Sequence, residues 1–275
     1  MSQHPVVAFI GAGNMARAII GGLLENGFAP QNIWAAEPDA ARLDDLAAQG
    51  LNTTTDNNAA VAAADLVVLA VKPQIMQAVA TDLAPAASTH QPLFVSIAAG
   101  IGLDALDRWL GGNAAIVRCM PNTPSLVQTG ASGLFANNRV NAVQREQATQ
   151  VLQAVGIALW VQSEAELDAV TAVSGSGPAY YFLMMEAMTA AGIKLGLSEA
   201  TARELTLQTA LGAARMASSS DVDAAELRRR VTSPNGTTER AINSFQAGGF
   251  EALVETALTA CRDRSVELAV ELCKD

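Results

Sequence analysis

The chain has 275 residues, half of them apolar and 16% charged, with 17 Lys and Arg against 27 Asp and Glu for a formal charge of −10. Such a length and apolar content support one large or two ordinary globular domains and exclude a disordered chain. The acidic balance argues against nucleic acid, which needs a basic face, and leaves any anionic ligand to backbone amides and a few side chains.

The sequence begins MSQHPVV and enters a buried strand at residues 6–10 almost at once, which leaves no room for a signal or transit peptide. Gly11-Ala12-Gly13-Asn14-Met15-Ala16 then makes a tight turn, and an apolar helix follows over residues 16–24. Gly11 allows the turn, Gly13 lets the backbone approach a pyrophosphate, and the small Ala16 lets the helix pack closely on the strand. The helix N-terminus presents free N–H groups to the anion. A G-x-G-x-x-A turn also serves plain strand-to-helix packing, but its place between an apolar strand and a helix favours dinucleotide binding.

A second strand over 32–36 ends at Glu37, a helix covers 40–49 with Gly50 past its end, and a short strand at 51–54 leads to Asp56-Asn57-Asn58, the cap of an alanine-rich helix. Residues 66–71, LVVLAV, form another buried strand closed by Lys72-Pro73; the helix after it runs over 75–83 and stops at Pro85. Strand 93–97 ends in Ala98-Ala99-Gly100, helix 103–110 follows, and strand 115–120 ends in Pro121-Asn122-Thr123-Pro124. A strand near 132–135, a helix over 141–155 and a strand over 158–161 complete this half. The alternation predicts an α/β fold, an N-terminal Rossmann-type doubly wound parallel sheet with ligands beyond the carboxyl ends of its strands.

From about Ser163 the strand-like runs stop and every segment has helical period. The chain therefore divides into residues 1–162, a dinucleotide-binding Rossmann domain, and residues 163–275, an all-α C-terminal domain. Segment 178–194 is apolar on nearly all sides (Tyr180, Tyr181, Phe182, Leu183, Met184, Met185, Met188) and reads as a fully buried helix. The last helix carries one stripe, from Phe250, Leu253 and Val254 through Cys261 to Leu268 and Leu272. Roughly one hundred residues of helix alone struggle to cover a segment apolar all round. A partner's helices are expected to cover it, in a dimer at least.

No apolar run reaches membrane-spanning length, so a cytoplasmic protein with no membrane partner is expected. Cys119, Cys261 and Cys273 are odd in number and lack C-x-x-C spacing, which points to buried, reduced thiols and to no metal site. His4 beside Pro5 and His90 in STHQP read as surface residues. The mechanism must then work without a catalytic histidine.

Two loops in the helical half suit chemistry. Val173-Ser174-Gly175-Ser176-Gly177-Pro178 and Thr232-Ser233-Pro234-Asn235-Gly236-Thr237-Thr238-Glu239 each place hydroxyls and glycines before a helix, the second starting near Glu239. Such a helix start suits a small carboxylate, and it is equally the commonest capping arrangement.

GAGNMA, LAVKP, SIAAG, RCMPNTP, AVSGSGPAY and VTSPNGTTE, in this order over the whole length, resemble the pyrroline-5-carboxylate reductases, enzymes of the last step of proline biosynthesis. The resemblance implies NAD(P)H-dependent reduction of the cyclic imine 1-pyrroline-5-carboxylate to L-proline, by an oxidoreductase acting on a CH–NH group. It also implies a helical domain that intertwines with a partner's. Carried over by position, Gly11, Gly13, Asn14 and Met15 would hold the pyrophosphate. Asn57 and Ala70, Val71, Lys72 and Pro73 would line the adenosine and ribose side, and Ala98, Ala99 and Asn122 the nicotinamide side. Ser233, Gly236, Thr237 and Thr238 would bind the substrate, Thr238 as the catalytic hydrogen-bond donor to the ring nitrogen. Asn235 departs from the glycine usual in the family; asparagine is the residue that best replaces glycine in left-handed backbone.

The residue inventory agrees with imine chemistry. Ketone reduction develops an alkoxide that wants a positioned acid, whereas reduction of an iminium neutralises a charge already present, so orientation and one hydrogen bond suffice. NADPH is the cofactor the resemblance implies. NADH stays open, because an acid such as Glu37 at the end of the second strand normally accepts hydrogen bonds from a free 2′-hydroxyl, while Arg42 could offset its charge. Alternatives are a β-hydroxyacid dehydrogenase or other imine reductase, or a non-catalytic dinucleotide sensor. The first needs a catalytic lysine in the second half, where Lys194 and Lys274 follow no glycine-rich motif; the last should have lost the SPNGTT loop, which is intact.

Overall fold

The computed structural model describes residues 4–274. Its strands are β1 (Val7–Ile10), β2 (Ile33–Ala36), β3 (Asn52–Thr54), β4 (Leu66–Leu69), β5 (Leu93–Ser96), β6 (Ala115–Met120), β7 (Gly130–Ala136) and β8 (Gly156–Trp160). Its helices are α1 (Asn14–Glu25), α2 (Asp44–Ala48), α3 (Asn57–Ala63), α4 (Pro73–His90), α5 (Leu103–Trp109), α6 (Ala142–Gln153), α7 (Glu166–Val170), α8 (Gly177–Lys194), α9 (Glu199–Ser218), α10 (Ala224–Arg230), α11 (Thr237–Ala247) and α12 (Phe250–Leu272). Helices separate most of the strands and gather after the last one, which is the Rossmann-type sheet followed by an all-α region.

One sheet orders the strands β3-β2-β1-β4-β5-β6-β7-β8. The chain thus changes direction across the sheet between β1 and β4, the switch point at which doubly wound folds open a ligand crevice. β1, β4 and β5 are buried at every position. Successive side chains leave a strand on opposite faces. Val7, Phe9, Val68 and Val95 accordingly pack with Ile19 and Leu23 of α1 and Val151 of α6. Ala8, Ile10, Val67 and Leu69 pack with Val61 of α3, Met76 and Leu83 of α4 and Leu106 of α5. Each fully buried large side chain contributes roughly 1.5–3 kcal/mol. Two covered faces are why these strands read as unbroken apolar runs.

Three local features differ from the sequence expectations. β7 runs antiparallel to β6 and parallel to β8; residues 121–129 are too few for the crossover that a parallel neighbour needs. α4 does not stop at Pro85 but continues to His90 and ends on Gln91 at φ 50. Leu83, Ala86 and Ala87, all buried, hold the helix to the sheet on both sides of the proline and offset its cost of about 3 kcal/mol. Finally, α11 begins at Thr237, one half-turn before Glu239.

Packing divides the chain into two compact units, one reaching to Ser176 and resuming at Ala260, the other Gly177–Thr259. The expected boundary near Ser163 follows the change from strand to helix rather than this division. Within the second unit α8 lies along α9, where a Cβ on Gly192 would stand 3.2 Å from Ala202 Cβ. The full burial expected of segment 178–194 is absent within one chain: Tyr181, Phe182 and Leu183 are 70%, 63% and 66% exposed. Among the described residues, no helix is long and apolar enough to cross a membrane.

Candidate active site

β1 delivers the chain to Gly11, whose N–H bonds the Ala36 carbonyl oxygen at 2.8 Å. Gly11 has φ +95, and a Cβ on it would meet the Ala70 carbonyl oxygen at 2.9 Å. Both the turn and the closeness of the β4 loop therefore demand glycine. Gly13 is different: a Cβ there meets nothing within 4 Å. The space beside it is open, as a group approaching the backbone requires. Gly13 is also the N-cap of α1, with no side chain bonded to the first turn, so the helix start is available to an anion. Asn14 is exposed and Met15 half-buried at that end.

Around this turn stand the other expected cofactor residues. Ala70, Val71 and Pro73 are half-buried and Lys72 exposed, at the end of β4 and the start of α4. Asn57 begins α3, and its Oδ1 is buried without a hydrogen-bond partner. A buried amide oxygen of that kind suits a donor on a ligand. Glu37 does not point away: its Oε2 accepts from the Ala12 N–H at 3.1 Å, and its Oε1 pairs with Arg42 at 3.2 Å. Arg17 braces the same turn by donating to the Ala12 carbonyl oxygen at 3.0 Å and pairing with Asp45.

At the end of β5, Ala98 is buried and Ala99 exposed, and the Ala98 N–H donates to Ser96 Oγ at 3.4 Å. Asn122, after β6, is 8% exposed. Its side chain is already committed, donating to the Ser174 carbonyl oxygen at 3.0 Å and accepting from the Ala131 N–H at 2.9 Å. One N–H donor and one lone pair of the amide, with the backbone, remain to it for a ligand. Sequence reasoning missed Glu164, whose Oε1 accepts from the Leu103 N–H at 2.8 Å and pairs with Arg118 at 2.6 Å. It missed the π-helical turn at Thr171–Gly175 as well. Nothing local in the sequence encodes these long-range bonds; only the S-G-S-G run hinted at an irregular turn.

In the second unit the loop expected to bind substrate, residues 232–239, is a compact turn. Gly236 N–H bonds the Ser233 carbonyl oxygen at 3.0 Å, and Asn235 N–H bonds Glu239 Oε2 at 2.8 Å. Asn235 has φ 59, the left-handed backbone that glycine or asparagine tolerates. Gly236 is the N-cap of α11 with no side-chain cap, and Ser233, Thr237 and Thr238 are exposed. Thr238 is thus not the cap of its helix. The helix start carries free N–H groups beside three hydroxyls, a cradle for a small carboxylate.

Residues 164–268 match the family model for pyrroline-5-carboxylate reductase dimerisation, and residues 6–100 match that for NADP oxidoreductase, coenzyme F420-dependent. A pyrroline-5-carboxylate reductase of Pseudomonas aeruginosa is 62% identical over 98% of this chain and 98% of its own. A solved pyrroline-5-carboxylate reductase of Coxiella burnetii superposes with a TM-score of 0.94 at 45% identity, covering 96% of this chain and 98% of that one. The chain belongs to the pyrroline-5-carboxylate reductase family. The Plasmodium falciparum pyrroline carboxylate reductase solved with NADP bound superposes with a TM-score of 0.85 at 29% identity, over 97% of this chain and 99% of that one.

The remaining reactive groups do not compete for a role in a reductase of this family. Burial pushes the Cys119 thiol up to about 12, with the Ser132 hydroxyl bond opposing it, so the thiol stays protonated. His4 stacks on Phe28 at 4.1 Å and His90 is exposed at the end of α4. Among the described residues, no group of three His, Cys, Asp or Glu could hold a metal ion.

Proposed function

We propose that this chain reduces 1-pyrroline-5-carboxylate to L-proline, with NADPH and also NADH as reductant, in the cytoplasm. The observation that carries the reading is the SPNGTT turn, whose N-cap Gly236 makes no side-chain cap bond and whose Thr237 and Thr238 are exposed, which supports binding of a small anion. The free amides at the start of α11 and the hydroxyls of Ser233 and Thr237 hold the substrate carboxylate. The Thr238 hydroxyl donates a hydrogen bond to the lone pair of the neutral imine nitrogen and so orients the imine carbon, and the proton that the nitrogen takes up on reduction comes from solvent water. Gly11, Gly13, Asn14 and Met15 hold the pyrophosphate, Asn57 and residues 70–73 the adenosine and ribose, and Ala98, Ala99 and Asn122 the nicotinamide side. When bound, the reduced nicotinamide would supply the hydride to the imine carbon. The open space at Gly13 and the unpartnered Asn57 Oδ1 support this fit.

Functionally we divide the chain at 162/163, cofactor domain before and substrate and dimerisation domain after. The exposed face of α8 supports a homo-oligomer built on an intertwined dimer, each site combining one chain's Rossmann domain with the partner's helices. The test is to mix the purified protein with reduced cofactor and the imine, following nicotinamide absorbance and proline. Oxidation of one cofactor per proline formed is expected. Dinucleotide binding without turnover would make it a sensor, and turnover of β-hydroxyacids instead would make it a dehydrogenase.

A further inference from the structure

The last turn of α12 returns to the loop that follows β5. Gly100 in that loop has φ +74, and a Cβ added to it would stand 3.0 Å from Leu272 Cδ1 and 3.6 Å from Leu268 Cβ. Cys273 Sγ lies 3.5 Å from the Gly100 carbonyl oxygen, to which it donates, and 3.5 Å from the Gly102 nitrogen, from which it accepts. Leu272 and Cys273 pack as well against the core cluster that includes Phe94, Ala98 and Leu106. The two ends of the loop are tied elsewhere, Ala98 to Ser96 and Leu103 to Glu164. Its middle rests on the end of α12.

A run of two alanines and a glycine has no long side chain of its own with which to hold a conformation, and Gly100 adopts its positive φ with no side chain to fix it. Ala99 is exposed and Ala98 buried, so the height of this turn depends on what supports it from below. We propose that Leu272 and Cys273 are positioning residues for the reaction: the C-terminal turn of α12 sets the placement of Ala98 and Ala99 against the nicotinamide side of the cofactor. The proposal rests on the functional reading above, which gives Ala98 and Ala99 that side. Misplacement of about 1 Å by a residue far from the chemistry can cost on the order of a hundredfold in rate. The Cys273 contacts are weak, because a thiol is a poor donor and acceptor, so their loss should show in catalysis more than in folding, whereas Leu272→Ala also removes apolar packing.

The test compares Leu272→Ala, Cys273→Ala and Cys273→Ser in the full-length protein. NADPH affinity is measured beside that of 2′-phospho-ADP-ribose, which lacks the nicotinamide, together with amide hydrogen exchange at residues 98–102 and kcat. Leu272→Ala and Cys273→Ala should weaken NADPH about three- to tenfold and leave the fragment within about twofold, while kcat falls about five- to twentyfold. Exchange at the Gly102 amide should rise, and Cys273→Ser, which keeps a donor and an acceptor, should return each quantity to within about twofold of wild type. Variants that melt earlier yet keep wild-type NADPH affinity and kcat per folded molecule overturn the proposal and leave the functional reading standing. A wild-type protein that binds NADPH but reduces no imine overturns both.

Discussion

The sheet unit and the unit Gly177–Thr259 are built from equally apolar sequence and treat it in opposite ways. Around the sheet, Phe9, Ile10, Leu69 and Phe94 are at most 1% exposed, covered by helices of the same chain. In the helical unit, among the described residues, burial reaches Gly177, Ala202 and Thr206 alone, while Phe182, Leu183, Leu205 and Leu253 stay more than half exposed. Apolar content states how much surface must be covered. It does not state whose atoms cover it. So many large apolar side chains left exposed in one unit point to an interaction site, and the match of residues 164–268 to a dimerisation family supports a second copy of the chain as the cover.

Substitution of one residue from each unit tests that contrast with the largest effects. Phe94→Ala should cost about 3–5 kcal/mol of stability at any protein concentration, because its cover is intramolecular. Leu183→Glu places an unpaired charge in the proposed interface. Burial of such a charge costs several kcal/mol, so assembly should fail and activity fall by at least about a hundredfold at working concentration. Light scattering and rate are measured together. If Leu183→Glu behaves as an ordinary surface substitution, within about 0.5 kcal/mol and fully active, the helical unit needs no partner.

Thr238→Ala comes next, and separates chemistry from folding inside the helical unit. Loss of one orienting hydrogen bond should lower kcat/KM by about 1.5–3 kcal/mol, on the order of ten- to a hundredfold. Since Gly236 is the N-cap and no side chain caps α11, stability should hold within about 0.5 kcal/mol. A variant less stable than wild type yet fully active would remove Thr238 from the mechanism.

What could be read from sequence follows the same division. Residues whose environment is local or uniform were legible: β1 and β4 as unbroken apolar runs, Gly11 from its turn, Asn235 from its tolerance of positive φ. Features set by distant partners were not. Pro85 reads as a stop, but burial of Leu83 and Ala87 against the sheet carries the helix through it. The bonds that the Asn122 side chain makes to Ser174 and Ala131 carry no local signal either. Glu164 and Cys273 carry no local pattern, because the partners of the first lie 46 and 61 positions away and those of the second 171 and 173. Segment 178–194 was legible in its chemistry, apolar on all sides, and its exposure within one chain agrees with the expectation that a partner covers it.

Within the sheet unit, Glu37→Ser should raise the NADPH-to-NADH ratio of kcat/KM by about three- to tenfold, roughly 1 kcal/mol. The carboxylate that repels a 2′-phosphate is removed, and Arg42, now paired with it at 3.2 Å, becomes free to meet that phosphate. The Ala12 N–H loses its acceptor as well, so both cofactors should bind somewhat less tightly. The ratio isolates the charge from that shared loss. No change in it would mean that Glu37 serves the turn and not the ribose.

The smallest effect is expected at Cys119, where the closed unit can be probed without touching function. Burial raises this thiol to about 12, and only the thiolate reacts with an alkylating reagent. At pH 8 the thiolate would be roughly one part in ten thousand even if the reagent could reach it. The sign is that of an acid whose neutral form is favoured by burial, so raising the pH toward 9 should leave native Cys119 almost unmodified, whereas an unfolded cysteine, ionising near its ordinary value of about 8.5, reacts readily. Modification should therefore follow unfolding of the sheet unit, at a rate independent of protein concentration, because the cover over Cys119 belongs to its own chain. Mass-spectrometric mapping of the alkylated cysteines over a dilution series measures this. Labelling of Cys119 that speeds up on dilution would show that the sheet unit too depends on a partner, and the contrast between the two regions would fail.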